Sequence, residues 1–186
     1  MERKEKILEA IKNLDKIIEK HKINKTEKTM NLSFVIEGKP VPYARARYTR
    51  FGSKGKKGKG RFYNPRQKEM DHYNREFRKQ INSDDEKKLN NLINNLDAIY
   101  YVKLYCKFYV PIQKTETIEK SALKEAGILK PTIRNGDSDN YEKFVQDALH
   151  GIIYADDKVV TFISSEKLYS LKPRTEIHAE INIIKE

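Results

Sequence analysis

Residues 98–110 read AIYYVKLYCKFYV, a run with almost no choice of secondary structure. It is rich in β-branched and aromatic residues, which suit a pleated, half-buried surface. Alternation puts Ile99, Tyr101, Lys103, Tyr105, Lys107 and Tyr109 on one face. Tyr100, Val102, Leu104, Cys106, Phe108 and Val110 fall on the other, which is the expected core side. Pro111 ends the strand. Such a strand requires partners. Three further runs alternate: residues 31–38 with Leu32, Phe34 and Ile36, then residues 159–169, then residues 175–184 with Ile177, Ala179, Ile181 and Ile183. His178 falls on the polar side of the last run, as an exposed sheet residue.

Between the strands the period changes to that of a helix. Residues 64–81 place Met70, Tyr73, Phe77 and Ile81 on one stripe, with Pro65 in the first turn. His72 carries no assigned chemistry. Residues 83–95 are polar, a loop or short helix, and residues 115–126 read as a short helix closed by Gly127. Residues 141–150 carry Phe144, Val145, Ala148 and Leu149 at helical spacing. At the start, Ile7, Leu8, Ile11, Leu14, Ile17 and Ile18 stripe an amphipathic helix over residues 2–21. The expected fold is α/β (α+β): a single domain with a mixed β-sheet and helices mainly on one face, plus that N-terminal helix. Residues 1–30 read as a helical arm and linker, and residues 31–186 as the domain.

The chain carries a net charge of +11 and a pI near 9.5, which favours a polyanionic partner, nucleic acid first. No run is long and apolar enough to span a membrane, and the N-terminus lacks the apolar core of a signal peptide. A single cysteine excludes an internal disulfide and a Cys-rich zinc site. A cytoplasmic protein fits these features. The charge concentrates in residues 45–68, where Arg45, Arg47, Arg50, Lys54, Lys56, Lys57, Lys59, Arg61, Arg66 and Lys68 meet no acid. The first eight are the expected DNA-binding residues. Tyr48, Phe51, Phe62 and Tyr63 are interleaved with them, and four glycines loosen the backbone. Charge and rings together suit phosphate contact and stacking on exposed bases. Lysines and glycines read no base edges, so the loop is expected to add affinity and not sequence choice.

Against this background stands an acidic knot, RNGDSDNYEKFVQDALHGIIYADDK, residues 134–158. Asp137, Asp139, Asp156 and Asp157 are the candidate ligands of one cation. Asp139 and Asn140 suit a helix N-cap, and Gly151 a C-terminal stop. A helix of about eleven residues rises about 16 Å. Five extended residues, at about 3.3 Å each, cover the same span in return. A chain turning at Gly151 would therefore bring Asp156 and Asp157 level with Asp137 and Asp139, giving the oxygen ligands Mg²⁺ prefers. Lys143 lies one turn after Asp139 on the same face. Read singly, the first motif is a cap and the second a turn. Their combination at this spacing favours a metal site.

The run GDSDNYEKFVQDALHGIIYADDKVV also resembles the signature of the RusA family of Holliday junction resolvases. That signature is D-x-D-N, a Lys three residues on, Asp-Ala-Leu, a small residue or Gly, a Tyr or Trp, then Asp-Asp and apolar residues. Upstream, GKPVPYARARYTRFG is similar to the family's G-x-P-V-P strand exit, with Arg45 and Arg47 at its arginine positions. Ser138, Tyr141 and Gly136 depart from the family's usual apolar residue, Leu and Pro, and leave every charged position intact. The resemblance implies that Asp137, Asp139 and Asp157 bind metal, that Lys143 is catalytic, and that Asp156 is a ligand or a support.

The resemblance further implies a Mg²⁺-dependent endodeoxyribonuclease, with Mn²⁺ as a substitute, that resolves four-way junctions by paired cuts in DNA recombination and repair. It would act as a homodimer on branched DNA, in a bacterial cytoplasm or encoded by a phage, with no membrane and no small-molecule substrate. The dimer surface is expected on the domain and not on the N-terminal helix. Two alternatives stay open on the residues alone. One is a non-catalytic nucleic-acid binder whose Asp residues are caps and turns. The other is a metal-dependent nuclease acting on other DNA or RNA structures.

Overall fold

A computed structural model describes residues 3–21, 28–50, 60–132 and 136–185. In chain order the elements are α1 (Arg3–Lys12), α2 (Leu14–Lys20), β1 (Lys28–Glu37), β2 (Arg47–Arg50), β3 (Gly60–Tyr63), α3 (Gln67–Gln80), α4 (Ser83–Asn94), β4 (Ile99–Pro111), α5 (Ile118–Glu125), α6 (Ser138–Leu149), β5 (Val160–Ser170) and β6 (Arg174–Lys185). Four strands form one sheet in the order β1-β6-β4-β5. β6 runs antiparallel to both its neighbours, and β4 and β5 run parallel. This is the mixed sheet expected of the alternating runs. The parallel pair requires a crossover, which α5 and α6 supply.

One face of the sheet is buried along β1, β4 and β6. Leu32, Phe34 and Ile36, then Val102, Leu104, Cys106, Phe108 and Val110, then Ile177, Ala179 and Ile181 form it. α3 covers this face with Met70, Tyr73 and Phe77, and α6 with Tyr141, Phe144, Val145, Ala148 and Leu149. The layers meet ring to ring. Phe34 packs on Phe77 at 4.9 Å, Tyr73 on Phe144 at 5.1 Å and Phe108 on Tyr141 at 5.1 Å. The polar tip of Tyr73 is matched in this layer, as its hydroxyl lies 2.8 Å from Thr175 Oγ1. Burial pushes that hydroxyl up to about 12 and the Cys106 thiol likewise to about 12. A thiol held neutral and buried is an inert core residue, as its place in β4 predicts.

The opposite face carries Tyr101, Lys103, Tyr105 and Lys107 of β4 with Glu176, His178 and Glu180 of β6. His178 is on this side, next to Ser33 Oγ at 3.0 Å. Edge strand β1 is closed by Gln80, whose amide bonds both the N–H and the carbonyl of Val35.

Three local features differ from the sequence expectation. Residues 83–95 hold a full helix, α4, because the Asn82 side chain accepts from the N–H groups of Asp84 and Asp85 and Leu89 and Leu92 are buried. The N-terminal helix is interrupted at Asn13, whose N–H bonds to Ala10 O in a tighter turn. The basic loop contains a hairpin, β2 paired antiparallel with β3 in a separate two-stranded sheet.

Candidate active site

The site begins where the chain enters α6. Gly136 has φ +79, a left-handed conformation that proline cannot take. A side chain there would also meet the ring of Tyr141 at 3.4 to 3.6 Å. Lys167 of β5 donates to the Gly136 carbonyl at 2.6 Å and fixes this entry. The N-cap position is Asp137, two residues earlier than the sequence suggests, with φ −80 and ψ 144. Its side chain makes no cap hydrogen bond, unlike Asn82 and Thr117 at the starts of α4 and α5. Asp139 follows in the first turn, and both Asp137 and Asp139 are exposed. Neither carboxylate has a hydrogen-bonding or ion-pair partner among the described residues. Both therefore stand unengaged at the positive end of a helix dipole, where negative charge is favoured.

From Asp139 a row of charges descends one face of the helix, through Lys143 to Asp147, at intervals of four residues. Lys143 Nζ lies 3.5 Å from Asp147 Oδ1 and 5.4 Å above the ring of Tyr43. The Tyr43 N–H donates to Asn140 O at 2.7 Å. The segment leading to the basic hairpin is thus docked on the first turn of α6. Arg45 and Arg47 follow Tyr43 closely, and both are exposed. Arg61 is exposed on β3, and the Arg50 backbone lies in β2. Lys54, Lys56, Lys57 and Lys59 lie outside the described residues.

The segment leading to the second acidic pair is not the extended run that the lengths suggest. Beyond His150 and Gly151 (φ +72), residues Ile152, Ile153 and Tyr154 form a turn with all three side chains buried. The Tyr154 hydroxyl donates to Gln146 O at 2.9 Å, which pins this turn beneath the last turns of the helix. The return run is made by β5, whose Ser165 bonds Glu142 and whose Lys167 bonds Gly136. Asp156 and Asp157 precede that strand and stay by the C-terminal end of α6. Among the described residues no three Asp, Glu, His or Cys side chains gather around one point.

The structure also separates Asp156 from Asp157. Asp156 caps a 3-10 turn at Asp157–Val159 by accepting from the Lys158 N–H, and it pairs with Lys158 Nζ at 3.0 Å. The backbone bond, then the side-chain bond, holds its carboxyl below the usual range. Asp157 instead acts on Tyr154. Burial first, then Asp157 and Asp147, pushes the Tyr154 hydroxyl well up. Asp147 is the one acid of this row that the motif spacing did not single out. Its signal was present, four residues after Lys143 in the Asp-Ala-Leu run.

The donor chemistry suits a hard divalent cation. Mg²⁺ keeps several waters and takes one or two carboxylates plus substrate phosphate oxygens. Asp137 and Asp139, both unengaged, meet that requirement without a third protein ligand. Asp147→Asn tests the row. It removes the ion pair that holds Lys143, and cleavage is expected to fall roughly tenfold, about 1.4 kcal/mol at the barrier. An exposed pair of this kind contributes only about 0.3–0.5 kcal/mol to stability, so the thermal midpoint should move by no more than about 2 °C. A matching loss of stability and activity would mean that Asp147 only supports the fold.

Comparison with known proteins places this geometry. Residues 37–180 match the model of a family described as Endodeoxyribonuclease RusA. The chain is also 40% identical over 78 residues to the uncharacterized protein YqaN of Bacillus subtilis (strain 168). That match covers 41% of this chain and 54% of the relative, so the chain spans about half the length of the curated protein it matches. The family match includes the G-x-P-V-P strand exit, the whole of α6 and both acidic pairs. The chain belongs to the RusA endodeoxyribonuclease family.

Proposed function

We propose that this protein is a Mg²⁺-dependent endodeoxyribonuclease, with Mn²⁺ as a substitute, that resolves Holliday junctions and related branched DNA by paired cuts. It would work as a homodimer in recombination and repair, in a bacterial or phage-infected cytoplasm. The observation that carries the reading is the pair of unengaged carboxylates, Asp137 and Asp139, at the N-terminus of α6. They head a row that holds one lysine. The family match supports nuclease chemistry at this helix.

In this reading Asp137 and Asp139 would hold the metal. A divalent ion supplies Lewis acidity toward a phosphate and toward the attacking water. Lys143, steadied by Asp147 and by the face of Tyr43, places a positive charge where the pentavalent transition state gains negative charge. Asp157 would join them as a metal-binding carboxylate, and Asp156, already engaged by Lys158, would be a ligand or a support. Residues 1–30 are the arm and residues 31–186 the nuclease domain. Arg45, Arg47, Arg50, Arg61 and the loop lysines grip the phosphodiester backbone.

The test is cleavage of a synthetic four-way junction with and without Mg²⁺, beside duplex, single-stranded DNA and RNA controls. Metal-dependent paired nicks in the junction support the proposal. Tight binding without cleavage of any substrate would leave a nucleic-acid binder. Sedimentation in the same buffer tests the homodimer, since a monomer would remove the paired-cut mechanism. A second expected result concerns the loop. Neutralising Lys54, Lys56, Lys57 and Lys59 together should flatten the slope of log affinity against log salt, by about 0.9 for each phosphate no longer neutralised. An unchanged slope would mean that the loop does not touch the DNA backbone.

A further inference from the structure

The β2–β3 hairpin is a ribbon with two unlike faces. Tyr48 and Phe62 are direct cross-strand partners, and their rings sit 5.1 Å apart at a 56° tilt. On the other face the pairs are Arg47 with Tyr63 and Thr49 with Arg61. The ribbon forms a sheet of its own, and none of its residues belongs to the buried core. Yet Phe62 is 75% exposed and Tyr48 51% exposed. Among the described residues these two large rings stand side by side at the surface, outside the core.

Gly60 shows that the ring placement is built in. It lies within strand β3, so no left-handed turn requires a glycine there. A Cβ at that position would stand 1.8 Å from Tyr48 Oη and 2.0 Å from Cζ. The glycine is therefore explained by space, because the Tyr48 ring crosses the opposite strand where a side chain would be. The charge around the rings then chooses the occupant. Residues 45–68 carry ten basic residues and no acid in a chain of net charge +11, which suits a polyanion and not an apolar protein surface.

A polyanion that also offers a flat face is a nucleic acid with an unpaired base. Bases within a duplex show only their edges in the grooves, while their faces are hidden in the stack. We propose that Tyr48 and Phe62 form a stacking site for an unpaired nucleobase at a DNA branch point, with Arg47 and Arg61 meeting the adjoining phosphates. This rests on branched DNA being the substrate, and it adds the residues that distinguish a branch from plain duplex. The hairpin is tied to the site through Tyr43, which docks on α6 four residues before β2 begins.

The test measures binding by the full chain in EDTA, so that cleavage plays no part. The probes are oligo(dT), a four-way junction, and a duplex of equal length. The Phe62→Ala variant is expected to weaken oligo(dT) and junction binding roughly 5- to 150-fold, the range for loss of one aromatic stack. Duplex affinity should stay within about twofold. A 2-aminopurine placed at the branch point should be quenched by the wild type and remain bright with Phe62→Ala. Phe62→Trp should restore both readouts. Gly60→Ala, which displaces the Tyr48 ring without removing it, should reproduce the loss. An equal loss on all three probes would overturn the proposal by putting the rings against backbone or groove, as would no loss on any. The nuclease reading fails separately. A wild type that never cuts a junction in Mg²⁺, yet binds oligo(dT) through Phe62, would refute the cleavage and keep the stacking site.

Discussion

With Asp139 replaced by Asn, junction cleavage is expected to fall by about 1000-fold or more, roughly 4 kcal/mol of transition-state stabilisation. Binding should hold or tighten. Asn keeps the size of the side chain and loses its charge, so α6 can form as before. What is lost is half of the unengaged carboxylate pair that the helix start presents. A hard cation binds a neutral amide oxygen far less well, while DNA approaches more easily once a negative charge is gone. Gel-shift and cleavage measured on the same preparation separate the two effects. Wild-type cleavage by Asp139→Asn would show that the chemistry is elsewhere. Equal loss of binding and cleavage would show that the residue serves the fold.

The largest expected loss of stability comes from Phe144→Ala. Phe144 is 1% exposed and sits edge-on to Tyr73 where α6 crosses α3. Truncating a buried phenylalanine costs about 3–5 kcal/mol, through the burial removed and the cavity left behind. A domain is stable by only about 5–15 kcal/mol, so much of the margin would go. The thermal midpoint should drop by roughly 6–20 °C, as calorimetry or circular dichroism would register. Cleavage at a temperature where the variant is still folded should persist at reduced rate, because Phe144 holds the helix and belongs to its buried face, not to the charged row. A midpoint within about 2 °C of wild type would mean that the α3–α6 packing is not part of the cooperative core.

Much of the frame was legible because burial leaves a period in the sequence. The alternation of β4 and β6 named their inner faces correctly, down to Cys106 and Ala179. The stripe Met70, Tyr73 and Phe77 named the inner face of α3. The hairpin was hidden because its strands are four residues long and its rings alternate with charge and glycine, a pattern that reads as loop. The start of α6 was missed because it depends on the backbone turn at Gly136, which a cap preference at Asp139 does not reveal. The path from the first acidic pair to the second was inferred from lengths alone. Extension from Ile152 to Asp156 would have exposed at least one of three consecutive large side chains. A turn buries Ile152, Ile153 and Tyr154 together, and burial decided the path.

The strand order β1-β6-β4-β5 bears on when the sheet can form. β6 is synthesised after every other strand, yet it lies hydrogen-bonded between β1 and β4. In the sheet, Lys28 finds its partner only in Ile183. Until β6 has emerged, β1 has no neighbour in the sheet and one edge of β4 is open. The sheet that carries α6 closes only after residues 174–185 have emerged. Pairings this distant along the chain also form slowly. A product lacking residues 174–185 would hold Asp137, Asp139, Arg45 and Arg47 and still have no complete sheet to place them on.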